Sequence, residues 1–232
     1  MSKFFSLDFE FMIEAMPLLL NATKTTIFIA IVSLIIAFAL ALVLATVRYF
    51  KIRGLSQVVR FYVSFFRGTP LIVQLFMMYF GIFTLSPTLT KLPAIVAAIV
   101  TLSFNSAAYM SETIRASYES VDTGQIEAAK SLCMTKLQLM KRIVFPQAFG
   151  IAIPMLGNNI VNLFKETSLA FTIGVVDILG KARAISAASF GANKLETYIS
   201  AGIIFWAICL ILEGTFNVLE KVYTKGRKKA TS

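Results

Sequence analysis

Between Lys24 and Arg48 the chain runs twenty-three residues, Thr25–Val47, without a charged side chain. A helix needs about 20 apolar residues to cross the hydrocarbon of a bilayer, so this stretch reads as a membrane span. Four more windows follow: Gly68–Thr90, Leu92–Ser111, Ile143–Phe164 and Thr197–Leu212, the last continuing past Glu213 to Leu219. The apolar pattern of the second begins earlier, near Val58, which puts Arg60 and Arg67 in interfacial first turns. The expectation is a single all-α membrane domain over 1–232, with five transmembrane helices at about 18–47, 60–84, 92–113, 146–165 and 197–219. One apolar run, Thr167–Val176, has only ten residues and cannot cross. It reads as a half-depth re-entrant segment, tolerated where protein or a cavity surrounds it.

Composition agrees and excludes much else. Apolar residues make up 57% of the chain and charged ones 15%, against about 45–50% and 25% in soluble domains. With no histidine in the sequence, His-based triads and His-ligated metals are impossible. Two cysteines, Cys133 and Cys209, allow neither a disulfide framework nor a four-thiolate zinc site. No P-loop is present, so any ATP must be bound by another chain. The acidic N-terminal flank (Asp8, Glu10, Glu14) and the long first apolar run argue against a cleavable signal.

The net charge of +10 suits anionic lipid rather than nucleic acid. Fifteen of the twenty-two Lys and Arg residues fall in the first loop, the third loop and the C-terminal tail. Basic loops stay on the cytoplasmic side. The N-terminus is therefore expected outside and the C-terminus inside, with Lys225–Lys229 as a juxtamembrane anchor. Five spans cannot be cut into two equal inverted halves. Symmetry around a pathway must then come from a second copy or a homologous chain.

The third loop, 115–145, carries helix signals. Asp122 with Gln125, and Thr135 with Gln138, have the spacing of capped helix starts. Ile126–Leu132 is a good helix-forming run. Two short helices joined by a turn near Cys133–Met134 are expected, with Pro146 near the start of the fourth span. Small residues Ala128 and Ala129 would let another protein come close, although a helix pair lying on headgroups has the same pattern.

Glu127-Ala128-Ala129, with Gly124-Gln125 before it and Ile143 and Pro146-Gln147-Ala148 after it, resembles the EAA loop of ABC-importer permeases. Arg67-Gly68-Thr69-Pro70-Leu71 with Gln74 is similar to the RGTP signature of the polar amino-acid permeases. Asn105-Ser106-Ala107-Ala108-Tyr109 with Glu112 and Arg115, and Lys165-Glu166-Thr167-Ser168-Leu169, resemble further segments of that subfamily. The ordered set covers about Arg67 to Asp177. The resemblance implies the type I importer permease fold, whose cytoplasmic EAA loop docks into an ATPase. Gly124, Glu127, Ala128, Ala129, Cys133 and Pro146 would be the coupling residues. It also implies an ABC ATPase dimer holding ATP and Mg, a second or homologous permease, an extracytoplasmic solute-binding protein, and a bacterial cytoplasmic (inner) membrane. Such a chain has no cofactor and is no enzyme. Relatives usually place Gly where Cys133 stands, and often Asp where Glu166 stands. Ser168–Val175 with Asp177 and Gly180-Lys181 looks most like the cystine-importing branch, which implies L-cystine.

The fourth span carries a polar stripe: Asn158, Asn162 and Lys165 at i, i+4, i+7, with Asn159 and Glu166 alongside. Polar groups at membrane depth face the bundle interior or a wet cavity. Asn158, Asn162, Lys165, Glu166, Thr167 and Ser168, with Asn105 and Tyr109 of the third span, are the pathway candidates. Interhelical hydrogen bonding is the competing role, more so for Asn158 and Asn159. Gly68 and Pro70 would kink the second span. Glu112 and Arg115 share a face and would pair with each other or with the EAA loop. The reading is a permease subunit of an ATP-driven polar amino-acid importer. Its rivals are an ATP-independent carrier or channel, which uptake after ATP depletion would reveal, and a membrane scaffold without flux.

Overall fold

The computed structural model describes residues 7–230, with side chains described through residue 222. All regular structure among the described residues is helical. Helix α1 spans Phe9–Tyr49 and α2 Leu55–Gly68; α3 covers Leu71–Phe76 and continues through a π turn, Met77–Gly81, and a 3-10 turn, Ile82–Leu85. Helix α4 is Ala94–Glu119, α5 Thr123–Ser131, α6 Lys136–Leu139, and α7 Phe145–Glu166. A 3-10 segment, Thr167–Ile173, leads to α8, Ile178–Ala188, and α9 is Lys194–Ala230. Among the described residues four helices are long and apolar enough to cross a membrane, or five if a bent pair counts as one span. The basic tail from Lys225 to Lys229, like Lys3, has its side chains outside the described residues.

The bent pair lies where a span at 60–84, kinked at Gly68 and Pro70, is expected. Helix α2 and the α3 run meet at 108°. Thr69, extended at φ −118° and ψ 144°, and Pro70, at φ −63° and ψ 136°, form the corner. A residue before proline is driven out of the helical region, and proline has no N–H to continue the ladder. Gly68 sits within α2, and a methyl group there would meet nothing within 4 Å. Proline and its predecessor therefore make the break.

Helix α1 has 41 residues, about 62 Å at 1.5 Å per residue, longer than the expected 18–47. The expected fourth span also begins earlier. Helix α6, a π turn at Met140–Val144 and α7 run on as one helical stretch. Pro146 is the second residue of α7 and lies within this longer stretch. Proline deprives the carbonyl four residues back of its donor, and a π turn beside it accommodates the misfit.

The residues form two compact units, each discontinuous in sequence. One comprises Met1–Leu34, Pro70–Ser103 and Asn162–Ile211; the other comprises Ile35–Thr69, Phe104–Val161 and Leu212–Ser232. Among the described residues the first has two apolar centres. Ile29, Leu75, Phe83, Ala97, Leu102, Leu163 and Ile173 make one. Leu19, Ile178, Ala182, Ala201 and Ile204 make the other and seat α8. Helix α8 was not foreseen. Asp177 caps it, Oδ1 accepting from Gly180 N at 2.8 Å, and Ile178 N donates to Thr26 Oγ1 of α1 at 3.2 Å. A methyl group on Gly180 would lie 2.4 Å from the Val175 carbonyl, so only glycine permits this entry.

In the second unit α2 is pinned to α4. Tyr62 Oη donates to Phe104 O at 2.6 Å and Asn105 Nδ2 to Phe66 O at 3.2 Å. Tyr62, Phe66 and Phe104 pack their rings around these bonds. Helices α7 and α9 approach closely at Gly157, where a methyl group would stand 2.8 Å from Phe216.

Candidate functional site

The second unit carries the third-loop helices. Asp122 Oδ1 accepts from Gln125 N at 3.2 Å and caps α5. Thr135 and Gln138 exchange reciprocal bonds to cap α6. Ala129 is buried, whereas Gly124, Glu127, Ala128 and Lys130 are exposed. One face of α5 thus packs on its own unit and the other is open. Cys133 takes φ +54° and ends α5, with Met134 N donating to Ala129 O at 3.1 Å. This is the six-to-one bond of a left-handed helix C-cap, normally a glycine position. Gln147 Nε2 donates to Gln125 Oε1, tying α7 to the first turn of α5.

A charge hub lies in the same unit. Glu112, with its side chain 17% exposed, pairs with Arg48 of α1, with Arg115 at 2.8 Å and with Arg67 at 4.0 Å. Arg115 also bonds Glu119 at 2.6 Å. The Arg67 guanidinium lies 5.3 Å over the exposed Tyr109 ring. Arg67 of the RGTP run therefore works with the third-span residues, and α1 joins them through Arg48. That last partner, sixty-four positions from Glu112, carried no local signal.

The pathway candidates separate by environment. Asn105 is buried and holds α2, as described. Asn159 Nδ2 donates to Thr113 Oγ1 of α4 at 3.0 Å, an interhelical bond. Asn158, one residue earlier, is exposed on a polar cavity of about 230 Å³ between α7 and α9. Glu213, Asn217 and Glu220 line its other wall. Their i, i+4, i+7 spacing is visible in the sequence, but nothing local to α9 says that the strip faces Asn158 of α7.

In the first unit, Asn162 and Lys165 are exposed and Glu166 is partly buried at the end of α7. Thr167 is fully buried, its hydroxyl donating to Phe164 O at 2.6 Å. The Ser168 hydroxyl donates to Lys165 O at 2.6 Å. Both hydroxyls serve the helix end, where α7 tightens into the 3-10 segment. Gln74 is buried within α3. No group of three His, Cys, Asp or Glu able to hold a metal occurs among the described residues.

Residues 39–225 match the family described as binding-protein-dependent transport system inner membrane component. The chain belongs to that family. It is a multi-pass permease subunit, a transport component rather than an enzyme. A probable amino-acid permease protein of Bacillus subtilis (YxeN) is 42% identical over 97% of this chain and 97% of its own length. Two further permeases of that organism are named for substrates. The L-cystine one (TcyL) is 37% identical over 96% of this chain and 94% of its own. The arginine one (ArtQ) is 39% identical over 93% and 97%. The crystal structure of an amino acid ABC transporter with histidines superimposes with a TM-score of 0.85 at 30% identity, covering 93% of this chain and 99% of that one. Permeases of this family work with an ATPase and a substrate-binding protein.

Proposed function

We propose that this chain forms the path for uptake of a polar amino acid across a bacterial cytoplasmic membrane, in an ATP-driven importer. Its N-terminus lies outside and its C-terminus inside. The pathway consists of two such chains, or of this chain with a homologue. The observation that carries the reading is α5. This capped helix presents Glu127 and Ala128 outward while Ala129 anchors it, which is the form of a rigid docking element. The similarity to amino-acid permeases along nearly the whole chain supports it. An ATPase dimer, carrying ATP and Mg, would grip α5 and move it as a rigid body. Asn162, Lys165 and Glu166, at the end of a helix followed by a half-depth 3-10 segment, would meet the substrate. Broken helices put backbone and side-chain polar groups at such sites.

L-cystine is the substrate we favour, on the resemblance of Ser168–Val175 and on the cystine-named relative, although an arginine-named relative is equally similar. The deciding experiment is affinity purification of the tagged chain from native membranes in mild detergent. A P-loop ATPase recovered in equal amount supports the importer. A preparation without ATPase, also after crosslinking, overturns it in favour of a carrier or scaffold. Uptake of labelled cystine competed by unlabelled arginine, glutamine and histidine then ranks the substrates. Arginine outcompeting cystine would overturn the cystine assignment alone.

A further inference from the structure

Helix α9 is apolar enough to span a membrane, yet Glu213, Asn217 and Glu220 project from one strip of it, within about 60° at 100° per residue. Ile211, Val218 and Val222, all well exposed, lie on the opposite strip and suit lipid. The polar strip faces the cavity of about 230 Å³ whose far wall is Pro154, Gly157, Asn158 and Val161 of α7. Neither carboxylate makes an ion pair, and neither Asn158 nor Asn217 makes a side-chain hydrogen bond, among the described residues. Glu213, Asn217 and Glu220 are all exposed. Two carboxylates and two amides facing hydrocarbon would be heavily penalised. A space of this size holds several waters, each needing two to four polar partners, and the lining supplies them. Gly157 and Phe216, both in the lining, pack so closely that a methyl group on the glycine would stand 2.8 Å from the ring.

We propose that this cavity is an aqueous vestibule at the cytoplasmic end of the uptake route. Its acidic wall of Glu213 and Glu220 favours zwitterionic and cationic solutes over anionic ones. The proposal deepens the permease reading and rests on it. A cleft with walls of one charge concentrates counter-charged solutes.

The test uses the full chain with its partner subunits in inside-out vesicles, with Cys133 and Cys209 replaced by serine and alanine. Single cysteines are placed at Asn158, Glu213, Asn217, Ile211 and Val218. A membrane-impermeant cationic thiol reagent should label the first three at least tenfold faster than the last two. Trapping the nucleotide-bound state should slow labelling at Asn217→Cys severalfold. Glu213→Gln with Glu220→Gln should cut the ratio of cationic to anionic reagent rates at Asn217→Cys about tenfold. Labelling no faster on the polar strip than on the lipid strip overturns the vestibule: the strip is then covered by a dry protein contact. Labelling unaffected by the trapped nucleotide overturns the route assignment and leaves interfacial water. An unchanged reagent ratio overturns the acidic selection. If no ATPase copurifies, the importer reading fails separately, while fast labelling of the strip still reports a wet cavity.

Discussion

Cys133 holds a conformation that its side chain disfavours. At φ +54° a residue with a Cβ crowds the following carbonyl, at a cost of about 1–2 kcal/mol. The Schellman-type end of α5 demands that conformation whatever residue occupies it. Cys133→Gly should therefore raise stability by about 1 kcal/mol, and Cys133→Val should lower it. Thermal unfolding of the purified chain in detergent checks both. An unchanged midpoint for the glycine variant would mean that the turn relaxes elsewhere. Gly157 shows the opposite demand, for space rather than dihedral freedom. With Phe216 atoms 2.8–3.2 Å from the position of an added Cβ, Gly157→Ala should cost about 1–3 kcal/mol. A second change, Phe216→Leu, should recover part of that loss. Failure of the pair to recover would argue that α7 and α9 separate readily at this point.

The entry to α8 is an element whose stability depends on charge. Asp177 is fully buried, and burial pushes its carboxyl up to about 6 from the usual 3.8, although hydrogen bonds from backbone N–H groups oppose the shift. Its Oδ2 has no hydrogen-bond partner among the described residues. Because the folded chain holds this proton more tightly than the unfolded chain, the contribution of Asp177 is fully present below about pH 3.8. It falls as pH rises and is lost by about pH 6. The penalty for the ionised form approaches about 3 kcal/mol at neutral pH. Asp177→Asn keeps an oxygen to cap Gly180 and cannot ionise. The variant should gain stability over the parent as pH rises from 4 to 7, in melting curves recorded in parallel. A constant difference across that range would show that Asp177 does not titrate there.

Across the whole molecule, coupling and flux should separate by position. Glu127 lies on the open face of α5, so Glu127→Lys should leave the chain inserted and folded while abolishing ATP-driven uptake in proteoliposomes. Uptake at the parental rate would remove α5 from the coupling role. Glu166→Ala should lower uptake at least tenfold with little change in melting. Asn159→Ala, which removes the bond to Thr113, should do the reverse and cost about 1 kcal/mol. A reversed order of effects would place Asn159 in the pathway and Glu166 in the scaffold.

Much of this architecture follows from the sequence itself, because hydrocarbon permits few solutions. Uncharged stretches of about 20 residues must be helices there, since no water is available to satisfy the backbone. Capping signals act within three residues, which is why Asp122, Thr135 and the corner at Pro70 were legible locally. Tertiary structure alone decided which polar groups meet. The Arg48 pairing with Glu112, the bond from Ile178 to Thr26 and the cavity shared by Asn158 and Glu213 join positions tens to well over a hundred residues apart. No periodicity specifies such partners. Asn158 and Asn159 make the point most sharply: adjacent and identical, they are separated by about 100° on α7. That rotation puts one on α4 as a structural bond and leaves the other facing the open cavity.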